Sequence, residues 1–548
     1  MYRRKRRGPR TLPCGTPTVI GCAEEFAPFA YTYWLLLLRN ICNMLHIGKL
    51  CLLGLLTQVR TSSSLQEVRN ADVASPRIAI IGGGIGGTST AYFLKELFGD
   101  NAIIDVYESE KIGGRLATIP IAGDDYEVGG TAIHPKNQYM MDFVSKFGLQ
   151  KRKSCAGSMG LFNGKEYLFR DSSWEIITLA KLILRYGWDV YRLHELTEEM
   201  LTKFNRIYTL QSEGHAYHDV ASLLYAMDPK FLEMTKKSSA AWLKELGFSD
   251  LIINELVTAI AQCYYGQTPN IHAFVGSVSV AVADQNLWSV FGGNKRVAEE
   301  LLKHSRASYL KRLVTSVALH SQGHFTVTST ETDTPVKRLF SEGSPTEIPE
   351  MNSSYDPRTQ DYDVVVIATP LNKDKSNIKL VNFTKDFDFP GHFERIICTM
   401  VQGEVNPESL LLMPDDHIDE ILVTNPGLTF NSFGKQCPAS LSVNSQDYPY
   451  VWKIFSSAPL GEDQLKIFFK ERNSTDVIDW LAYPHYNSDQ HLGNFELVPG
   501  FYYLNAIEWA GSAIEMSIIG GKNVALLAYK YWLQDPNAAM NSLLKDEL

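Results

Sequence analysis

Residues 77–87, RIAIIGGGIGG, constrain this chain more than any other stretch. An apolar run that reads as a buried strand leads into Gly82, Gly84 and Gly87 in G-x-G-x-x-G spacing, and a helical pattern follows over residues 88–97. A glycine triplet alone is weak; between a strand and a helix it is a cradle for a dinucleotide pyrophosphate, which the helix amides face. Gly82 permits the tight turn, Gly84 lets the phosphates approach the backbone, and Gly87 lets helix and strand pack closely. A second strand over residues 102–107 ends in Glu108, 21 residues past Gly87, where a carboxylate accepts from ribose hydroxyls.

The next segments choose among dinucleotides. Gly113, Gly114 and Arg115 follow Glu108, and then come Gly129, Gly130 and Thr131, ending in His134 and Pro135. A nicotinamide enzyme has no need of a second glycine pair and an arginine at this point. An extended FAD does, because it runs along several backbone segments and an arginine can pair with its pyrophosphate. Further on, LWSVFGGN at 287–294 precedes a helix, residues 363–367 form a strand closing in Ala368-Thr369-Pro370, and residues 502–504 form a short strand. Glu508 follows, and a last helix runs through Tyr531. The expected fold is α/β: an FAD-binding Rossmann-type domain assembled from discontinuous segments, with a mixed α+β substrate domain.

That order resembles the flavin amine-oxidase superfamily. The strings IGGGIGGTSTAYFL, IGGRLAT, GGTAIHP, YGQTPNIHAFVGSVS, LWSVFGGNK, VVVIATPLN, YVWKIFS and LNAIEWAGSAIEMS narrow the resemblance to the prenylcysteine oxidase and prenylcysteine oxidase-like family, from about residue 76 to about 535. In the superfamily the last helix aims its N-terminus at the flavin pyrimidine ring, where its dipole stabilises a reduced, anionic ring. Several members attach flavin through a cysteine there; this chain has none beyond Cys437, so FAD is expected to be non-covalent.

The family implies an S-prenylated cysteine as substrate and dioxygen as oxidant. The carbon between sulfur and alkene supports positive charge, so hydride leaves without a strong base. Water adds to that carbon, and the hemithioacetal collapses to cysteine and a prenyl aldehyde, while dioxygen is converted to hydrogen peroxide. Polar candidates near the motifs are His134, Tyr264, Tyr265 and His272, with His134 best placed because 129–135 resembles the superfamily's flavin-facing loop. For each of the four, a structural role is the competing reading. Trp174, Ile176, Ile177, Leu179, Leu182, Ile183 and Leu184 are candidates for lining a prenyl tunnel, against a plain core reading. Glu508 and Glu515 flank the start of the last helix, as cofactor ligand or as partners of its dipole. Two other functions stay open: a broader flavin oxidase of amines or polyisoprenoids, and a catalytically weak flavin-binding lumenal or lipoprotein-associated partner.

With 548 residues and 45% hydrophobic content the chain holds two lobes and a large core. Expected segments are a leader at 1–60, FAD-binding segments at 76–150, 271–372 (with a polar loop at 341–360) and 496–535, a mainly helical cap at 151–270, a substrate domain of alternating strands and helices at 373–495, and a tail at 536–548. The net charge of -9 conceals nine Lys/Arg against two Asp/Glu in residues 1–60, so the remainder stands at -16. Such a body does not attract nucleic acid or anionic membrane by bulk charge, and the basic run at 3–7 is a minor alternative.

Residues 26–38 are uncharged, but Arg39 and then Lys49 interrupt, short of the roughly 18–20 residues a spanning helix needs. Residues 44–56, a short charged start and an apolar run, read instead as a signal peptide, with Met44 as the natural start and residues 1–43 as an extension. Sequons at Asn352, Asn382 and Asn473 and a terminal Lys545-Asp546-Glu547-Leu548 agree with the secretory pathway. The tetrapeptide points to the endoplasmic reticulum through a KDEL receptor; the family implies a lysosomal or secreted protein. Past the leader, Cys155, Cys263, Cys398 and Cys437 lack metal-ligand spacing, so no metal is expected; one or two disulfides and four free thiols both remain open.

Overall fold

In the first strand, Arg77–Ile81, four consecutive apolar side chains are buried on both faces, as a central parallel strand requires. It sits inside a six-stranded sheet ordered Glu496–Val498, Phe501–Tyr503, Val364–Ile367, Arg77–Ile81, Ile103–Tyr107, Ser308–Leu310. All neighbours are parallel except the first pair. The sheet therefore gathers strands from both ends and the middle of the chain. The computed structural model describes residues 75–153, 157–282, 286–332, 357–412, 418–441 and 449–534. The leader, Cys155, Asn352, most of the 341–360 loop and the KDEL terminus lie outside the described residues. Among those described, no helix is long and apolar enough to cross a membrane.

Helix Ile85–Phe98 begins three residues earlier than the pattern at 88–97 indicated, because Gly86 and Gly87 occupy its first turn. The lack of a side chain at Gly86 serves packing against the final helix, Ile514–Leu533. A Cβ on Gly521 would lie 2.6 Å from Ser89 Oγ and 3.0 Å from the Gly86 carbonyl oxygen, and one on Gly86 would lie 2.9 Å from Leu504 Cδ2. Small residues at the crossing let the two backbones approach.

A second sheet of seven strands is ordered Phe469–Pro484, Phe393–Val405, Val451–Ser456, Ser432–Gln436, Glu420–Val423, Met159–Phe162, Tyr167–Arg170. It is antiparallel except where Glu420–Val423 runs parallel to Met159–Phe162. Two expectations change here. The start of the segment at 151–270 is not helical, since 159–170 contributes two strands to this sheet, and 373–495 contains few helices, Glu462–Phe468 being the longest described. A four-stranded sheet is ordered Arg358–Tyr362, Phe325–Glu331, Arg312–Leu319, Lys379–Val381.

Helices from Asp189–Phe204 to Ala273–Ala281 fill the interval between the two lobes' strands in sequence, and a π turn at Ile253–Val257 precedes the helix Thr258–Tyr265. The unit formed by residues 73–173 and 180–548 carries the whole site described below. Within that unit, Leu182, Ile183 and Leu184 of the candidate tunnel helix, Glu175–Tyr186, do not line the site. Ile183 and Leu184 are exposed and Leu182 packs into a satellite core with Leu161, Phe169 and Leu193, while Trp174, Ile176 and Ile177 are also exposed. Helical spacing gave an apolar stripe, but did not say which way it faces.

Candidate functional site

The glycine cradle has the geometry a pyrophosphate needs. Gly82 adopts φ +118°, and a Cβ there would sit 2.5 Å from the Ala368 carbonyl oxygen, at the end of the adjacent strand. A Cβ on Gly87 would lie 1.9 Å from the Gly82 carbonyl oxygen, so the helix can dock only without one. Gly84, at the N-cap of that helix, faces open space, with nothing within 4 Å of a Cβ. Gly82 and Gly84 line a cavity of about 2900 Å³; Gly87 lies behind them in the helix–strand contact. Ligand pockets commonly hold roughly 300–1,000 Å³, so this space admits an extended dinucleotide together with a second ligand.

Glu108 lines the same cavity and accepts hydrogen bonds from the Gly83 amide (2.8 Å) and the Glu110 amide (2.7 Å). Burial raises its pKa, and those amides oppose the rise. Gly114, at φ +56°, packs against Gly84, with a built Cβ 3.3 Å from the Gly84 Cα. Gly129 could carry no Cβ, which would meet the Arg115 carbonyl oxygen at 1.9 Å, and the Gly130 amide donates to that same oxygen at 3.1 Å. Thr131 Oγ1 donates to the Gly129 carbonyl at 3.1 Å. Gly114, Arg115, Gly129, Gly130 and Thr131 all line the cavity, as do Ser512, Ala513 and Ile514 at the N-terminus of the final helix.

Arg115 differs from expectation. Its guanidinium forms a two-pronged pair with Glu508, Nη2 to Oε1 at 2.5 Å and Nη1 to Oε2 at 2.9 Å, and Nη1 also donates to the Ala482 carbonyl at 2.7 Å. The fork that was to hold a pyrophosphate is engaged by a protein carboxylate. Glu508 is likewise displaced from a dipole role: it lies in the turn Leu504–Trp509, ahead of the final helix, and also accepts from Asn505 Nδ2. Burial would raise the Glu508 pKa, but the Arg115 charge prevails and holds it below the usual value. Glu515, in the first turn of the final helix, accepts from the Tyr139 and Met140 amides and from Tyr208 Oη, and burial pushes it up to about 7.

The two histidines have structural posts away from the cavity lining. His134 is buried, and its Nδ1 accepts from the Lys136 amide at 3.1 Å, organising the turn before helix Gln138–Lys146. His272 caps helix Ala273–Ala281, with Nδ1 accepting from the Val275 amide at 3.3 Å and Nε2 3.1 Å from the Trp509 carbonyl oxygen. Burial lowers its pKa to about 3, so it stays neutral and donates to that carbonyl. Tyr264 and Tyr265 do line the cavity, where their hydroxyls donate to the Val282 carbonyl (3.3 Å) and the Ser512 carbonyl (3.4 Å). Cys437 is disulfide-bonded, whereas Cys263 and Cys398 are free.

Sequence reasoning missed several cavity residues. Glu127 and Asn505 each present a buried side-chain oxygen, Oε2 and Oδ1, with no hydrogen-bond partner, and both residues line the cavity. Burial pushes Glu127 up to about 7. Glu420, Lys375 and Lys453 also line it; Lys375, lowered to about 8 by burial and then by the Arg115 charge, donates to the Leu481 carbonyl at 2.7 Å. They come from strands and loops far apart in sequence, and no local spacing marks them. Elsewhere, His320, His324 and Asp361, and His392, Glu394 and His485, bring three ligand-type atoms within 4.8 Å of one another. His320 and His324 stand in H-x3-H spacing, whereas the second group has no sequence spacing that announces it.

The residues fit FAD: an open space above Gly84, and the N-termini of helices Ile85–Phe98 and Ile514–Leu533 both in the cavity lining. Comparisons agree. Residues 80–147 match an NAD(P)-binding Rossmann-like domain. By structure, the chain is similar to cyclohexylamine oxidase from Brevibacterium oxydans (TM-score 0.54, 16% identity, 84% of this chain and 100% of that one) and to a putrescine oxidase double mutant (TM-score 0.53, 14% identity, 82% and 98%). The fold is that of the flavin amine oxidases.

By sequence, it is 40% identical over 466 residues to prenylcysteine oxidase 1 of Bos taurus, covering 83% of this chain and 89% of the relative. It is 36% identical over 475 residues to prenylcysteine oxidase 1-like of Homo sapiens, covering 85% and 92%. Residues 169–541 match the prenylcysteine lyase family, and with relatives this similar over most of their length the chain belongs to that family.

Proposed function

We propose that this chain is an FAD-dependent thioether oxidase that converts S-prenyl-L-cysteine, dioxygen and water to cysteine, a prenyl aldehyde and hydrogen peroxide. The observation that carries the reading is a single cavity with a phosphate cradle at one side and an apolar and charged compartment at the other, in a member of the prenylcysteine lyase family. Bound FAD supplies a hydride acceptor that dioxygen restores. The protein's part is to hold FAD on Gly82, Gly84 and the amides of Ile85 and Gly86, to hold the substrate, and to limit water.

Ile396, Phe455 and Trp480 give the cavity an apolar wall for a prenyl chain. No strong base is needed at the reacting carbon, since sulfur and alkene both stabilise the charge that develops, and neither histidine candidate reaches the cavity. Non-covalent FAD is supported by the cysteines: Cys437 is in a disulfide, and burial holds the Cys263 thiol at about 12, far from a thiolate. We place the protein in the secretory lumen on its leader, its KDEL terminus and its sequons; Asn382 and Asn473 are exposed, as glycan acceptors must be.

The test is anaerobic. Purified protein carrying its flavin is mixed with S-farnesyl-L-cysteine. The visible flavin band should bleach, and admitting air should restore it with one peroxide per turnover. Bleaching by amines alone would make the protein a broader amine oxidase, and a flavin that nothing reduces would make it a binding protein.

A further inference from the structure

A substrate that is a free amino acid carries an ammonium and a carboxylate, and the cavity must answer both. On the cavity face of the seven-stranded sheet, Glu420, Gly434 and Lys453 stand in one row across three neighbouring strands: Glu420 is paired with Gly434, and Gly434 with Lys453. The alternate residues Ile421, Phe433 and Ile454 point the other way, into an apolar core, so the row's side chains share the cavity face. Two strand spacings separate Glu420 from Lys453, about 10 Å between their Cα atoms. The residue between them has no side chain.

These charges are not consumed by the protein. Among the described residues no donor hydrogen-bonds the Glu420 carboxylate, and the cation whose charge acts on it is Lys453. Lys453 lies near Phe455, with Nζ 5.2 Å from the ring centroid, and makes a long contact of 3.4 Å to Thr131 Oγ1. Thr131 ties the row to the Gly129–Thr131 loop, so the charged pair sits beside the cofactor compartment rather than at the cavity mouth. The neighbouring row on the same face, Ser432 and Phe455, continues toward the apolar wall. A carboxylate and an ammonium held two strand spacings apart on one wall of the cavity leave both charges open to a ligand.

We propose that Glu420 and Lys453 form the amino-acid clamp of this site: Glu420 accepts from the α-ammonium, Lys453 donates to the α-carboxylate, and the missing side chain of Gly434 leaves room for the Cα between them. The assignment rests on the prenylcysteine reading and deepens it. The clamp selects a free prenylcysteine over a prenylated protein, in which the cysteine nitrogen is an amide with no charge for Glu420. No bond is made or broken by either residue, so both are positioning groups for the carbon that faces the cofactor.

The probe for binding is S-dodecyl-L-cysteine, which has no allylic carbon to oxidise, with its N-acetyl and methyl ester forms, titrated calorimetrically into the flavin-loaded protein. A charged hydrogen bond of this kind corresponds to about tenfold to hundredfold in affinity. Wild type should therefore prefer the free amino acid over either blocked form by at least about tenfold. Glu420→Gln should abolish the preference over the N-acetyl form and keep the preference over the ester; Lys453→Met should do the reverse. Gly434→Val keeps both charges and should weaken all three ligands while the flavin spectrum and melting temperature hold.

Equal weakening of all three ligands in Glu420→Gln and Lys453→Met, unchanged ratios, or full binding in Gly434→Val would each overturn the clamp. Anaerobic bleaching by S-farnesyl-L-cysteine is read separately. If wild type is not reduced, the substrate reading itself falls; if it is reduced and the ratios do not collapse, the clamp alone falls.

Discussion

Replacing Arg115 by Met separates a cofactor ligand from a structural ion pair. Glu508 is buried, with 1% side-chain exposure, and takes two of its hydrogen bonds from Arg115, the others coming from Asn505 Nδ2 at 2.5 Å and Ser512 Oγ at 3.3 Å. Arg115→Met removes the only cation in that set and leaves a buried carboxylate on neutral donors, which costs about 3–5 kcal/mol. Glu508→Gln keeps the shape and leaves Arg115 on the Ala482 carbonyl, facing a cavity that water can enter, at about 1–2 kcal/mol. The double variant carries neither charge, so it should be more stable than the sum of the single losses implies, with a coupling of about 1.5–3 kcal/mol. Urea unfolding of the flavin-free protein reads all three, and a flavin titration reads affinity. Additive single losses, with Arg115→Met folding normally but binding FAD weakly, would refute the ion-pair account and return Arg115 to the pyrophosphate.

Gly84→Ala and Gly87→Ala should part company. The Gly84 Cβ enters open space, so the apoprotein's melting temperature should hold while FAD affinity drops at least tenfold, about 1.4 kcal/mol; equal affinity would place the phosphates elsewhere. The Gly87 Cβ strikes a backbone oxygen at 1.9 Å, which no rotamer relieves, so stability should fall by about 2–3 kcal/mol in the apoprotein too. Gly521→Val should also destabilise the apoprotein, because its Cβ would crowd Ser89 and Gly86 where the first and last helices cross; a neutral result in urea unfolding would deny that contact. Burial raises Glu515 from 4.5 to about 7, so the folded state holds its proton longer than the unfolded chain. Stability from this group is full below about pH 4.5 and is lost as pH rises to about 7, by about 3 kcal/mol. Glu515→Gln should flatten that slope in unfolding measured across this range; an unchanged slope would show that Glu515 does not cause it.

Much of the cofactor compartment was legible in the sequence, because a phosphate cradle is local. Gly82, Gly84 and Gly87 serve one strand–turn–helix, and each spacing follows from where a Cβ would fall. The misplacements share a cause. Arg115 and Glu508 are 393 positions apart, and no sequence pattern says that one fork will meet the other carboxylate before a phosphate does. His134 and His272 sit in motif strings near cofactor segments, yet each spends its ring on a backbone amide a few residues ahead. The stripe on Glu175–Tyr186 has helical period but faces outward at Ile183 and Leu184, since periodicity gives a face and not its partner.

By itself, then, the sequence determined that a dinucleotide is held, that the holder is a parallel sheet drawn from discontinuous segments, and which family's strings the chain carries. These are properties of short segments, where backbone conformation and side-chain volume decide the outcome within about ten residues. Only the tertiary structure decided which polar groups are spent on the protein and which are left for a ligand. Glu420 and Lys453 become a pair because two strand pairings place them on either side of Gly434. Hydrogen bonding between strands, not proximity along the chain, sets that distance.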